Sequence, residues 1–304
     1  MLPWMKRRSG QGVRHVILHY HVFKNAGSTI YSILERNFGR RLVSLDSGHF
    51  NRLLADDVLL AFLKKHSRVH AISSHHLVPP HPAHRDFVFH DILFLRNPLA
   101  RLSSMYDFYR RTGTTHDPLI AEAKCRTTAD FMRLLIEKYP QYVNNAQTNF
   151  LLARSRNAQE PALESAFRVA CKATVLGVTE FFDLGAVLAE YSLAPIFRGI
   201  NFGYSAENVS SIAPRQLDIH LAQFRDACGD DIYEQLLQSN ALDLALLKLA
   251  TEEIYQRFDA MPGHEERLKH FLQWRSTLHP SAVRGVLASN HPNDFVRYAN
   301  SGTN

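Results

Sequence analysis

The chain has 304 residues, 45% hydrophobic and 21% charged, which excludes wholesale disorder and any fibrous or low-complexity architecture. With 35 Lys and Arg against 29 Asp and Glu, the formal net charge is +6, which favours anionic partners: nucleotide, acidic glycan, nucleic acid or a membrane surface. The cations are scattered in short clusters such as Lys6-Arg7-Arg8 and Arg110-Arg111, so no nucleic-acid stripe is expected.

Residues 1–12 read as a flexible arm with no apolar run behind its charges, so no secretory signal is expected. Val13 to Phe23 is apolar and β-branched enough for a buried strand. Lys24-Asn25-Ala26-Gly27-Ser28-Thr29 is a turn of small residues. After it Ile30, Ile33, Leu34 and Phe38 recur at helical spacing, and Gly39 is a stop signal. Residues 52–65 predict a helix and Val69 to Ser73 a short strand, followed by a His/Pro-rich loop to about Arg85. Phe87 to Leu95 is a second long buried strand. Asn97-Pro98 then opens a helix, because Asn caps well and Pro suits the first helical position. Leu99, Leu102, Tyr106 and Tyr109 give that helix an apolar face.

Helices are predicted over 128–138, 143–153 and 160–168, a strand from Ala173 to Val178, and a helix from Glu180 to Tyr191. The stretch 215–256 reads as helical and 276–304 as a polar tail, leaving 13–275 as one domain. The most apolar run, Phe181 to Phe197, is short for a membrane span and is interrupted by Asp183 and Glu190, so no transmembrane helix is expected. Strands alternating with helices predict an α/β fold with a parallel sheet covered on both faces. Three distant cysteines, Cys125, Cys171 and Cys228, with no C-x-x-C, argue against a disulfide framework and fit a reducing compartment.

Two stretches carry chemistry. Lys24 to Thr29 lies between a strand and a helix, where backbone N–H groups form an anion site. Gly27 gives room for close approach, Lys24 neutralises a phosphate-type oxygen, and Ser28 and Thr29 donate hydroxyl bonds. The order differs from a Walker A loop, where Lys follows the second Gly. Arg96 leaves the next long strand at its carboxyl end, where open α/β sheets bind ligands, and Ser104 follows in the helix. The plain alternatives are an ordinary strand–helix turn and a capped helix with a surface Arg.

Taken together and in order, Lys24-x-x-Gly27-Ser28-Thr29 and Arg96-Asn97-Pro98…Arg101-x-x-Ser104 resemble sulfotransferases that use 3′-phosphoadenosine-5′-phosphosulfate (PAPS). The closer likeness is to the carbohydrate type, which includes heparan sulfate 2-O-sulfotransferases and bacterial relatives. Asn145-Ala146-Gln147-Thr148 with Leu151, Val175 to Glu180, and Asn208-Val209-Ser210 fit the same type, so the likeness runs from Val16 to Tyr255. It implies a P-loop-like three-layer sandwich. It implies that Lys24, Asn25, Ala26, Gly27, Ser28 and Thr29 hold the 5′-phosphosulfate, that Arg96 and Ser104 hold the 3′-phosphate, and that Asn208 and Ser210 lie near the nucleotide. It implies no metal, and 3′,5′-adenosine bisphosphate as product. Asn97 stands where many relatives carry Asp. Golgi relatives carry a membrane anchor not seen in this sequence, so a cytoplasmic, bacterial-like member is expected, with membrane proximity at most peripheral.

Of 17 histidines, seven fall between His66 and His90. Sulfuryl transfer to a hydroxyl needs a base near neutral pH, and His suits it. His76 best matches the family's base, with His75 in reserve. His81-x-x-His84 invites a zinc reading, but no Cys lies nearby and Asp86 is the nearest carboxylate, so no metal is expected. The expected function is transfer of a sulfuryl group from PAPS to a hydroxyl of a carbohydrate or glycolipid. The competing readings are a P-loop-like kinase, which lacks its Walker A order here, and a non-enzymatic binder of anions or acidic glycans.

Overall fold

A computed structural model describes residues 13–47, 53–113, 117–155, 159–204 and 214–278. The predicted arm 1–12 and nearly all of the predicted tail lie outside these ranges, as do Asn208 and Ser210. Five strands make one parallel sheet in the order β2-β3-β1-β4-β5. They are β1 (Arg14–Tyr20), β2 (Leu42–Ser44), β3 (Ala71–Ser74), β4 (Phe87–Leu95) and β5 (Val175–Val178). β1 and β4 are central, in a register that sets Arg14 opposite Phe87 and Tyr20 opposite Leu93. Nearly all of their residues are buried, as parallel strands covered on both faces require.

Two differences from the sequence reading lie here. The predicted strand Val13 to Phe23 ends at Tyr20, because Val22 N turns back to the Tyr20 carbonyl (2.9 Å) and breaks the ladder. β2 was not predicted: three residues behind a 3₁₀ turn at Gly39–Arg41 are too few for a period to register.

The helix α1 (Gly27–Phe38) follows β1, and α2 (Asp56–Lys65) precedes β3. Between β4 and β5 lie α3 (Pro98–Arg111), α4 (Pro118–Cys125), α5 (Thr128–Lys138), α6 (Ala146–Leu151) and α7 (Ala162–Cys171). The chain continues through α8 (Phe182–Leu193), α9 (Pro214–Cys228), α10 (Asp230–Ser239), α11 (Ala241–Asp259) and α12 (His264–Leu278). As the sequence predicts, Asn97 caps α3, accepting from Leu99 N at 3.0 Å and Ala100 N at 3.1 Å. The single helical region 215–256 is three helices, interrupted at Gly229 (φ 78°) and Asn240. α12 runs past the predicted domain end at 275 to Leu278. α4 was missed; it has Asp117 as its cap and Pro118 at its start, but only eight residues to show a period.

α1 and the segment after α8 meet on one face, where Phe38 and Phe197 pack edge to face at 5.5 Å. On the other, Tyr20 meets Phe150 of α6, and Arg154 just beyond α6 reaches the Leu54 carbonyl just before α2. The result is the expected three-layer α/β sandwich. A second core gathers Leu102 and Met105 of α3, Phe131 of α5 and Leu236 of α10. Among the described residues, no helix is long and apolar enough to cross a membrane.

The chain leaves β1 towards β3 and β2, but leaves β4 towards β5. The carboxyl ends of these neighbouring strands therefore form the topological switch point, where open α/β sheets bind ligands.

Candidate anion site at the switch point

Three described non-glycine residues have positive φ: Lys24 (67°), Ala26 (59°) and Asn145 (46°). Each costs on the order of 1–3 kcal/mol, and such strain collects at functional sites. Lys24 and Ala26 lie at this point, and Asn145 starts α6, whose Gln147 reaches the same loop. In the loop after β1, Lys24 and Ala26 flank Asn25, whose φ is not positive and whose N–H is donated back to the Val22 carbonyl at 3.1 Å. Ala26 starts α1 with no side-chain cap, and Thr29 N donates to the Ala26 carbonyl at 3.0 Å, which leaves the N–H groups of Gly27 and Ser28 as the helix start's donors for an anion.

The loop is tied to β4 and α6 beneath it. The Arg96 guanidinium, 4% exposed, donates through Nη1 to the Lys24 carbonyl at 2.8 Å. Buried Asn25 donates through Nδ2 to the Phe94 carbonyl (2.9 Å) and to Gln147 Oε1 (2.7 Å). The Gln147 amide also accepts from Arg96 N (2.9 Å) and donates to the Arg96 carbonyl (2.8 Å). Three stretches singled out in the sequence thus join in one buried network. A fourth joins through Glu180, whose Oε1 accepts from Asn97 N at 2.9 Å. Burial lowers the Arg96 pKa while Glu180 opposes the shift; burial likewise raises Glu180 while Arg96 opposes it.

The Lys24 ammonium rests 4.4 Å from the centre of the Phe108 ring on α3, a cation–π contact. Burial, then the charges of Arg96 and Arg111, lower its pKa to about 8, against a raising pull from Asp107. Lys24 therefore stays mainly protonated at neutral pH. Ser28 is exposed at the helix start, whereas Thr29 is buried beside it. Ser104 is half-buried one turn before Phe108. Asn25 and Arg96 serve the loop from below; they are not open ligands in this conformation.

Gly27 has a different neighbour from the expected one. A Cβ there would stand 1.8 Å from His21 Cδ2 and 2.0 Å from His21 Nε2, so the glycine makes room for an imidazole. His21 belongs to a ladder of rings that the sequence reading missed. His19 and His21 stack with centroids 5.2 Å apart, and His21 and His75 lie at 3.8 Å. Burial, then His75, hold His21 neutral with a pKa of about 3, with a smaller lowering by Lys24 and a raising pull from Asp46.

His75 and His76 are placed differently. His76 Nδ1 accepts from Ser47 N at 2.9 Å, with Asp46 Oδ1 3.7 Å away. A neutral ring accepting at Nδ1 carries its proton on Nε2 and has no free lone pair there. His75 is exposed, with its ring on His21 and its backbone N–H, not its ring, donating to Asp46 Oδ1 at 2.9 Å. Burial lowers the His75 pKa, while Asp46 and a hydrogen bond to the His21 backbone raise it. A ring fixed through one nitrogen keeps the other as an acceptor.

His220 of α9 is a second residue the sequence reading passed over. Its pKa is lowered by burial, then by the Arg96 charge, against Asp107, and its Nε2 is buried without a hydrogen-bond partner among the described residues. Only the fold shows it, since α9 follows α3 by some hundred residues of chain.

No protein-family model matches the chain. It is similar to an uncharacterized protein of Archaeoglobus fulgidus, 26% identical over 243 residues that cover 77% of this chain and 94% of that protein.

Proposed function

We propose that the protein is a PAPS-dependent sulfotransferase acting on a hydroxyl of a carbohydrate. The observation that carries this reading is the bond from Arg96 Nη1 to the Lys24 carbonyl, which joins two ordered motifs 72 residues apart at the switch point. A loop with two positive-φ residues, an uncapped helix start and a half-buried lysine suit a phosphosulfate group.

PAPS supplies an activated sulfuryl group on a phosphate leaving group. The Lys24 ammonium and the N–H groups of Gly27 and Ser28 stabilise the negative charge that grows on the bridging oxygen as the S–O bond to phosphate breaks. Arg96 holds the Lys24 backbone and adds positive potential from below, with Ser104 on the same side of α3 for the 3′-phosphate. The acceptor oxygen forms the new bond to sulfur and its proton passes to His75, while His76 holds the Asp46–Ser47 turn. The products are a sulfate ester and 3′,5′-adenosine bisphosphate.

Thermal unfolding with 3′,5′-adenosine bisphosphate, and with ADP and ATP–magnesium as controls, tests the donor site, because a ligand that binds only the folded state raises the midpoint. Stabilisation by the bisphosphate alone, lost in Lys24→Ala, together with sulfuryl transfer to a carbohydrate acceptor, is the expected result. Stabilisation by ATP–magnesium alone would favour a kinase. Bisphosphate binding with no transfer to any of a panel of sugars would favour a non-catalytic binder.

A further inference from the structure

A second set of cations lies at the opposite, amino-terminal edge of the sheet. A groove of about 810 Å³ there is ringed by Arg14, Arg41, Lys64, Arg85 and Arg198, with Asp86 as the carboxylate in its lining. The cations come from five separate segments: the start of β1, the turn before β2, the last turn of α2, the approach to β4 and the segment after α8. Asp86 lies 3.7 Å from Arg85. Arg41, Lys64 and Arg198 have no carboxylate partner among the described residues.

The cations at the back of the groove are held by neutral groups. Arg14 donates to the carbonyls of Leu63 (2.5 Å) and His66 (3.2 Å) and lies 4.7 Å over the Phe87 ring, while its Nε is buried without a hydrogen-bond partner among the described residues. Arg41 lies 5.7 Å over the Phe38 ring. Carbonyls and aromatic faces fix a guanidinium in place without cancelling its charge. Clustering like charges around a concave surface with so little acid costs repulsion that a bound anion relieves. A single sulfate would meet only part of this ring, and the volume falls within the range of ~300–1,000 Å³ usual for small-ligand pockets.

We propose that this groove binds an anion carrying two or more phosphate- or sulfate-type groups, at a site separate from the switch point. The inference does not rest on the sulfotransferase reading. β1 runs from one site to the other over seven residues, so at ~3.3 Å per residue they lie roughly 20 Å apart. Free phosphates and sulfated sugars offer the same chemistry, and the test separates them.

The experiment is titration calorimetry at fixed ionic strength with inorganic tripolyphosphate and, separately, a sulfated disaccharide. Four proteins are compared: wild type, Lys64→Glu with Arg198→Glu, a charge-matched control with Lys138→Glu and Lys248→Glu, and Lys24→Ala. All four reversed residues are exposed, so the folds should persist, and thermal unfolding checks this. The groove reversal is expected to weaken binding of at least one probe by about 10-fold or more, as lost charge-assisted bonds require. The control and Lys24→Ala should bind within about 3-fold of wild type, as exposed charges contribute little. The probe that binds identifies the source of the anion. No binding of either probe, equal weakening in the control, or loss in Lys24→Ala would overturn the proposal.

Discussion

At Gly27 two residue-scale effects oppose each other. Alanine in a helix is favoured over glycine by about 1 kcal/mol. A Cβ there would overlap the His21 ring, 1.8 Å from its Cδ2, and overpacking costs about 1–3 kcal/mol. The clash outweighs the propensity, so Gly27→Ala should lower the unfolding midpoint. In a His21→Ala background the same change should raise it. Thermal unfolding of the four proteins decides: a gain in the wild-type background would show that His21 does not set the glycine. The histidines give the second prediction at this scale. On the proposed reaction, His75→Ala should lower kcat by about 10²–10⁴-fold, the usual worth of a general base, and His76→Ala by much less. Steady-state assays check this, and a greater loss in His76→Ala would reverse the assignment. The sequence reading puts His76 first and His75 in reserve; the proposal reverses that order because Ser47 N, 29 positions from His76, occupies its Nδ1.

At the scale of elements, α6 has only six residues and would not hold as an isolated helix. It is fixed by reciprocal capping with α11. Asp243 accepts from Gln147 N (3.0 Å), Thr148 N (2.7 Å) and Thr148 Oγ1 (2.7 Å). Asn145 Oδ1 in turn accepts from Leu242 N (2.9 Å) and Asp243 N (3.2 Å). Asp243 is 1% exposed, so Asp243→Ala would strand buried donors at about 1–3 kcal/mol each. Urea denaturation should show a loss of at least about 2 kcal/mol, with a smaller loss for Asp243→Asn, which keeps one acceptor oxygen. A loss under about 0.5 kcal/mol would show that the caps are not coupled. Gln147 links α6 to Asn25 and Arg96, so bisphosphate binding should weaken with the same substitution. The sequence marks Asn145 to Thr148 as a motif. Nothing local marks Asp243, which reads as one more acid on a helix.

For the whole molecule, buried titratable groups set a pH dependence of two opposing signs. Asp91 on β4 is 7% exposed, and burial raises its pKa from 3.8 to about 6, against lowering by His81 and the Tyr20 hydroxyl. The fold prefers its neutral form, so this contribution is present at low pH and is lost as pH rises through about 6. His90, 6% exposed, is lowered from 6.5 to about 4 by burial, then by His15 and His81. The fold prefers the neutral ring, so that contribution is present above pH 6.5 and is lost as pH falls towards 4. Asp91→Asn isolates the first effect. Its stability relative to wild type should improve by roughly 2.5 kcal/mol between pH 4 and pH 8. Denaturant unfolding at the two pH values measures this, and an offset that does not change with pH would count against the assignment.

The sequence by itself determined the central strands, the helix starts at Lys24 to Thr29 and Asn97-Pro98, the alternation that makes a parallel sheet, and the positions facing its carboxyl edge. These features are written within about ten residues of chain, as periodicity, caps and turn chemistry. Where such a signal was too short, as in β2 and α4, the element was missed. Only the tertiary structure decided that Arg96 supports the Lys24 backbone, that His21 occupies the space Gly27 leaves, that His75 and His76 face different partners, and that five scattered cations ring one groove. Each of these joins segments of chain that no local pattern relates, and the sheet order brings them together.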